Sequence, residues 1–256
     1  MPAPSIIATR NPWPSRLRRA LDEDMFELHF QPIVCVRDGS VQMSEALVRL
    51  LDSSGGPPVR AAEFLPAAER FGLIRELDRM VLDKAAALVA GEWPAEQAIA
   101  VNLSAVSVAD EQMPRVFERV LARHGADPAR LVVELTETVA ITDMARARAF
   151  CTRAEALGCA ISLDDFGAGC GSLQYLKHLP FSYLKIDGSF VSGLVASRID
   201  QLVVRALVGI VRGLGRRTVA ECVGDEPTMD MLRDFGVDYA QGYAIGAPAP
   251  LLAVPA

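Results

Sequence analysis

The chain has 256 residues, 51% hydrophobic and 23% charged, a balance that describes a globular protein with ample core and excludes a disordered or fibrous one. Its formal charge of −6 argues against a nucleic-acid polymer as partner, because such binding rests on neutralising many phosphates with Lys and Arg. No apolar run reaches spanning length, no charged-then-apolar leader opens the chain, and the five cysteines (Cys35, Cys151, Cys159, Cys170, Cys222) are scattered without metal-ligand spacing. The expectation is a cytoplasmic protein in a reducing compartment, neither inserted in a membrane nor secreted.

Residues 1–14 are Pro-rich and without periodicity, which predicts a flexible N-terminal tail. A short amphipathic helix from Ser15 leads to two β-rich runs, Phe26 to Val34 and Val41 to Leu50. Arg37-Asp38-Gly39 between them is a hairpin signal, so the first two strands are expected to be antiparallel. From there helix and strand alternate. Helices around Ala61 to Arg70 and Arg75 to Ala90 precede a strand at Ala98 to Leu103, and a helix near Met113 to His124 precedes a strand at Leu131 to Leu135. A helix at Asp143 to Leu157 leads to a strand at Ala160 to Leu163, and a shorter one at Ser172 to Leu179 leads to Tyr183 to Ile186. The apolar segment Ile199 to Leu214 leads to Thr218 to Cys222, and a helix near Pro227 to Phe235 leads to Tyr239 to Tyr243. Gly125, Gly158, Gly215 and Gly236 close helices. Eight strands with crossover helices and no linker to split them predict one α/β domain over residues 15–250, a closed (β/α)8 barrel, with residues 251–256 as a C-terminal tail. An open doubly wound sheet is the alternative; it lacks a glycine-rich phosphate loop after its first strand.

In such a barrel the active site is built at the carboxyl ends of the strands. The most telling end is Ala160 to Gly169, where an apolar strand runs straight into Asp164 and Asp165 and then a glycine-rich turn. Two adjacent carboxylates at the mouth of a core repel unless a divalent cation lies beside them. The other expected strand ends carry Glu45 and Arg49, Asn102, Glu134 and Glu137, Lys185 and Asp187, Glu221, and Gln241. Each alone has an ordinary explanation: Asn102 as a cap, Glu137 in a first helical turn, Lys185 as a counter-ion. One shared site explains them together. Oxygen donors with an amide, almost no histidine and no cysteine pair select a hard cation, Mg2+ or Mn2+, over zinc. His29, His124 and His178 read as structural. Two cations clamped by acids and an amide suit phosphoester hydrolysis by in-line attack of water. A barrel lyase or racemase with a Lys base and one Mg2+ explains Lys185 and the acids, but not Asn102, Gln241 or the paired aspartates.

At these residues the chain resembles the EAL-domain cyclic di-GMP phosphodiesterases, from about Phe26 to Pro248. The motifs are Gln31-Pro32-Ile33, Glu45-Ala46-Leu47-Val48-Arg49, Val101-Asn102-Leu103-Ser104, Glu134-Leu135-Thr136-Glu137, Asp164-Asp165-Phe166-Gly167, Leu184-Lys185-Ile186-Asp187, Ala220-Glu221 and Gln241-Gly242-Tyr243. The resemblance implies a modified TIM-type barrel with an antiparallel first strand, and two divalent metals, Mg2+ or Mn2+, held by Glu45, Asn102, Glu134, Asp164 and Asp165. Glu221 and Gln241 would complete the shell directly or through water. It implies Glu221 as general base, Lys185 orienting the attacking water, Arg49 on a substrate phosphate, and Gln31 and Leu47 against guanine. Glu137 resembles the glutamate that pins the loop after the fifth barrel strand, a loop at the homodimer contact of this family. The implied reaction opens cyclic di-GMP to pGpG. An upstream sensor, a GGDEF domain or a partner protein would supply the signal. A cyclic di-GMP receptor without turnover is the alternative. Two departures bear on that choice. Ala220-Glu221-Cys222-Val223-Gly224 stands where the family continues Ala-Glu-Gly-Val-Glu, with Asp225 or Glu226 able to compensate if the loop shifts. Ala168, Cys170 and Gly171 replace Thr, Tyr and the first Ser of Asp-Phe-Gly-Thr-Gly-Tyr-Ser-Ser.

Overall fold

A computed structural model describes residues 13–136, 143–167 and 174–251. Helix α1 (Trp13–Asp22) leads into β1 (Phe26–Cys35) and β2 (Val41–Leu50). They form the antiparallel hairpin that the turn chemistry predicts, in one register from Phe26↔Leu50 to Ile33↔Met43 and shifted by one residue at Val34↔Val41. At the turn, Asp38 Oδ1 accepts from the Ser40 amide (3.0 Å) and hydroxyl (2.6 Å). A two-residue strand, β3 (Val59–Arg60), then returns antiparallel along the far half of β2.

The remaining ring strands are β4 (Ala98–Asn102), β5 (Leu131–Thr136), β6 (Ala160–Phe166), β7 (Tyr183–Ile186), β8 (Arg217–Ala220) and β9 (Tyr239–Ala240). β4 lies parallel to β2, and each later ring strand lies parallel to the one before it. β9 closes the ring antiparallel on β1 through Val34↔Ala240 and Cys35↔Tyr239. Of the ten strands in the sheet, β3 and β10 (Ala249–Pro250) lie outside this ring, and the other eight make a barrel whose first strand runs against its neighbours.

Helices α2 (Ala61–Arg70), α3 (Ile74–Ala90), α4 (Ala105–Val108), α5 (Met113–His124), α6 (Met144–Leu157), α7 (Gln174–His178), α8 (Gly188–Val191), α9 (Arg198–Gly213) and α10 (Glu226–Phe235) follow in the crossovers. They cover the barrel with apolar stripes. α3 buries Ile74, Leu77, Val81, Leu82, Ala85 and Val89, each large side chain contributing about 1.5–3 kcal/mol. Among the described residues Cys35, Cys151, Cys159 and Cys222 are free thiols, and no helix is long and apolar enough to cross a membrane.

The structure adds β3, β10, α4 and α8 to the expected elements, all too short for periodicity to register. It also ends two strands early. β8 stops at Ala220 and β9 at Ala240, not at Cys222 and Tyr243. There the backbones turn across one another, Gln241 N–H donating to Ala220 O (2.8 Å) and Val223 N–H to Gln241 O (3.0 Å). Gly242 lies so close to the Val223 backbone that a Cβ would overlap it, so this crossing requires glycine.

Candidate active site

Alternation along the strands turns every second side chain into the barrel. A lower layer of Ile33, Met43, Ala100, Val132, Val219 and Tyr239 is buried and packed together. One pleat toward the mouth the inward positions are Gln31, Glu45, Asn102, Glu134, Asp164, Lys185, Glu221 and Gln241, and all eight are polar or charged. Glu45 is not at a strand end as the motif positions suggest; it sits midway along β2, which continues five residues past it to Leu50. It reaches the common layer because Glu45 pairs with Ala100, and β4 stops at Asn102.

Lys185 is the hub. Its side chain is 1% exposed, and its ammonium lies 2.8 Å from Glu221 Oε1, 3.1 Å from Asp164 Oδ1, and 3.3 Å from both Glu45 Oε2 and Glu134 Oε2. Glu45 is further held by Asn102 Nδ2, which donates to Oε1 (2.7 Å), and by Gln241 Nε2, which donates to Oε2 (2.8 Å). Gln241 Nε2 also donates to Gln31 Oε1 (3.1 Å), and Gln31 Nε2 donates to Gly246 O (3.1 Å).

One ammonium cannot balance four buried carboxylates. Burial works against the charge on Lys185, but the surrounding acids win and hold its pKa well above the ordinary value. Burial also raises the Glu45 carboxyl, yet the field of Lys185 and the donors Gln241 and Asn102 outweigh it, so Glu45 is held below its usual value. Glu134 has no amide donors of that kind. Burial, aided by the fields of Glu45, Asp164 and Glu221, drives it well up despite Lys185. Burial and the Asp164 charge likewise push Glu221 to about 8, against Lys185. Asp165 is raised by burial and by Asp164.

A surplus of buried negative charge suits a bound cation. Carboxylate oxygens of Glu45, Glu134 and Asp164 lie within 4.8 Å of one another, and so do those of Asp164, Asp165 and Glu221. The two triplets share Asp164. Asp165 enters the second because its backbone is left-handed (φ 55°), with its N–H donating to Asp164 Oδ1 (2.9 Å), a conformation Asp tolerates better than most residues. The oxygen of the Gln241 amide, Oε1, is buried without a partner among the described residues. An all-oxygen donor set with an acceptor to spare fits Mg2+ or Mn2+. Asn102 turns its nitrogen to Glu45, and a cation there would take the oxygen end of the same amide.

Leu47 and Arg49 lie farther along β2, above this cluster rather than in it. Arg49 is half-buried, and Nη1 donates to Val48 O (3.0 Å); burial, then the charge of Arg60, lower its pKa. Asp187 does not join the acids. Its Oδ1 caps α8, accepting from the Ser189 amide (3.0 Å) and hydroxyl (2.5 Å). Asp225 is likewise spent as the cap of α10, accepting from the Thr228 amide (2.9 Å), and does not replace a carboxylate at Gly224. Gly224 itself is exposed, and a side chain added there meets nothing within 4 Å. Glu137, Ala168, Cys170 and Gly171 lie outside the described residues.

Sequence reasoning missed Asp78. A cleft of about 500 Å³ runs from Leu47 and Asn102 back between β2, α2 and α3, and Asp78 lines it. Asp78 Oδ2 accepts from the Ser104 hydroxyl (2.5 Å) and amide (3.1 Å), just past Asn102. Burial raises the Asp78 carboxyl, although Ser104 opposes it. The signal was present: Ile74, Leu77, Asp78 and Val81 share one helical stripe, and a lone acid on an apolar stripe needs a partner.

Comparison with known proteins agrees with this fold. The cyclic di-GMP phosphodiesterase PdeB of Shewanella oneidensis is 36% identical over 243 residues, which cover 93% of this chain and 28% of that protein. PdeF of Escherichia coli, also a cyclic di-GMP phosphodiesterase, is 34% identical over 241 residues, covering 93% of this chain and 31% of PdeF. The chain therefore spans about a third or less of these curated relatives. Among solved structures, the PaMucR phosphodiesterase in complex with c-di-GMP superposes with a TM-score of 0.87 at 36% identity, over 94% of this chain and 98% of that one. The FimX EAL domain from Pseudomonas aeruginosa, bound to c-di-GMP, gives 0.86 at 29%, over 92% and 95%. Residues 15–248 match the EAL domain, and with the barrel, the acid layer and these relatives in agreement, the chain belongs to the EAL domain family, homologous to cyclic di-GMP phosphodiesterases.

Proposed function

We propose that this domain is a metal-dependent phosphodiesterase that hydrolyses cyclic di-GMP to linear pGpG. The observation that carries the reading is the pair of carboxylate triplets sharing Asp164, arranged around the buried Lys185 ammonium. Glu45, Asn102, Glu134, Asp164 and Asp165 would hold two divalent cations, Mg2+ or Mn2+, with Glu221 and Gln241 completing the shell. Such cations supply Lewis acidity toward a phosphoryl oxygen and lower the pKa of a bound water.

The chain's own groups do the rest. Lys185 holds the acids in register and aims its ammonium at the place where an attacking water would sit. Glu221, whose Oε1 lies 2.8 Å from the Lys185 ammonium, takes a proton from that water as its oxygen bonds to phosphorus and the bond from phosphorus to the 3′ oxygen breaks, and the departing 3′ oxygen takes up a proton from solvent, opening the ring to pGpG. Arg49 binds a substrate phosphate, Gln31 and Leu47 contact guanine, and the apolar cleft beside Leu47 leaves room for a base. Purified protein with cyclic di-GMP and Mn2+ or Mg2+ is expected to yield pGpG, and to yield none after chelation. Ligand binding without any pGpG would leave the second reading, a non-catalytic cyclic di-GMP receptor, which the absence of a carboxylate at Gly224 favours.

Self-association belongs to the same reading. Ile199 (72% exposed), Leu202, Ile210 and Leu214 form an exposed apolar stripe along one face of α9 and just past its end, a surface suited to burial against a second copy. Light scattering is expected to show a homodimer, and Leu202→Glu a monomer. We place the domain in the cytoplasm, in line with its free thiols.

A further inference from the structure

The sheet extends above the acid layer. β2 pairs with β4 only as far as Ala46↔Val101 and then runs on to Leu50, flanked by β1 on one side and β3 on the other. Residues facing each other in an antiparallel pair point to the same side. The registers Glu27↔Arg49 and Arg49↔Arg60 therefore set Glu27, Arg49 and Arg60 in one row across three strands. That row lies on the face that also carries Leu47 and Glu45, because side chains alternate along β2.

Like charges directly opposite one another destabilise a strand pair. Here two guanidiniums are opposite, and neither is in an ion pair among the described residues. Arg49 donates only to the Val48 carbonyl. The Arg60 guanidinium has no hydrogen bond or ion pair among the described residues; its backbone N–H donates to Glu63 Oε1 (3.4 Å). The one acid of the row, Glu27, lies on the opposite side of Arg49 from Arg60, with Oε1 2.8 Å from His29 Nε2. Arg49 responds to the arrangement: burial, and then the charge of Arg60, lower its pKa. The fold thus sets two guanidiniums side by side, without a salt-bridge partner among the described residues, on the wall above a strongly acidic site, and Tyr243, Glu45 and Glu27 offset only part of the lowering at Arg49.

An anion on this wall converts the repulsion into a clamp, since guanidinium forks match phosphate oxygens. A cyclic dinucleotide carries two phosphodiester charges, and the acid layer with its cations deals with one. Arg49 stands four residues, about 13 Å, along β2 from Glu45, so its long side chain suits the neighbouring phosphate of the ring. We propose that Arg60 is a substrate-binding residue that, with Arg49, clamps the phosphate of cyclic di-GMP that is not cut. This rests on the cyclic di-GMP reading above.

The test compares wild type, Arg60→Ala and Arg60→Lys. Calorimetric titration of cyclic di-GMP in the presence of a chelator reads binding without turnover, and steady-state rates with Mn2+ read kcat and KM. Arg60→Ala is expected to raise both the Kd and KM about tenfold, with kcat within twofold and the affinity for Mn2+ alone unchanged. Arg60→Lys, which keeps charge but not the fork, should recover part of the loss. The melting temperature of Arg60→Ala should stay level or rise, because a repulsion is removed. An unchanged Kd for Arg60→Ala beside a wild type that binds overturns the role of Arg60 and leaves the ligand reading intact. So does a lowered melting temperature that Arg60→Lys restores without restoring affinity, which would mark a structural part in starting α2. A wild type that binds no cyclic di-GMP, with or without Mn2+, removes the ligand reading and this inference with it.

Discussion

Two layers of side chains, one pleat apart, fill the same barrel and are built on opposite principles. Stepping two residues along a strand goes from Met43 to Glu45, Ala100 to Asn102, Val132 to Glu134 and Val219 to Glu221, and on the reversed first strand from Ile33 back to Gln31. The lower layer is held by buried apolar area and close packing. The upper layer is equally shut from water at Glu134 and Lys185, each 1% exposed, but carries charge that one ammonium cannot balance. Stability is therefore concentrated below and chemistry above, and substitutions in the two layers should differ in kind.

The largest effect is expected from Glu45→Ala. Glu45 is a member of the Glu45, Glu134 and Asp164 triplet and accepts from Asn102 and Gln241, so its loss opens the triplet and releases both amides. Hydrolysis of cyclic di-GMP should fall by about a thousandfold or more, as when a preorganised electrostatic group is removed. Mn2+ at about a hundred times its Kd should stabilise wild type by about 2.7 kcal/mol and should hardly shift the melting temperature of Glu45→Ala. An equal metal-induced shift in the two proteins would take Glu45 out of the metal site.

Lys185→Ala probes the same layer through its single cation. Turnover should drop about a hundredfold with cyclic di-GMP binding retained; a wild-type rate would remove Lys185 from the chemistry. Without metal, the four carboxylates lose the one counter-ion they have among the described residues, and denaturation should show a loss of about 3–5 kcal/mol. Mn2+ should restore much of that loss, because a cation replaces the missing charge. Val132→Ala, one pleat below Glu134, should behave otherwise. Two methyl groups and the cavity they leave cost about 2 kcal/mol, metal should not recover it, and KM should stay at the wild-type value. If Mn2+ rescued Val132→Ala as well as it rescued Lys185→Ala, the separation of the layers would be wrong.

The same contrast explains what the sequence could and could not reveal. The long strands and helices were legible because alternation and the 3.6-residue period report burial directly, as in β1, β2 and α3. The polar layer was legible because charge inside apolar runs such as Leu131 to Leu135 or Ala160 to Leu163 demands a reason. What periodicity could not carry was register. The motif order puts Glu45 at a strand end, whereas its pairing with Ala100 sets it level with the others, and Arg60 precedes the expected helix from Ala61, whereas β3 places it opposite Arg49. Caps also imitate site acids. Asp187 follows Lys185 at an expected strand end, which sets it beside the acids in the sequence, whereas its carboxylate closes the first turn of α8, a local use of Asp that competes with any longer reach.

The smallest expected effect is at Gly224, the exposed position where the resemblance leads one to expect a second glutamate. The upper layer already contains more acid than Lys185 can neutralise, so a carboxylate added inside it would be costly. At Gly224 the case differs: the residue is outside the barrel ring, its Cβ position is open, and its backbone is not in the left-handed region. Gly224→Glu should therefore fold as well as wild type, with melting temperatures within a degree or two, since surface substitutions are usually within about 0.5 kcal/mol. If the missing acid limits catalysis, pGpG formation should rise several-fold at saturating Mn2+, with little change in KM. An unchanged rate in a well-folded variant would show that position 224 does not limit catalysis and would shift the test to the segment around Ala168, Cys170 and Gly171, where introducing Thr, Tyr and Ser is the corresponding substitution.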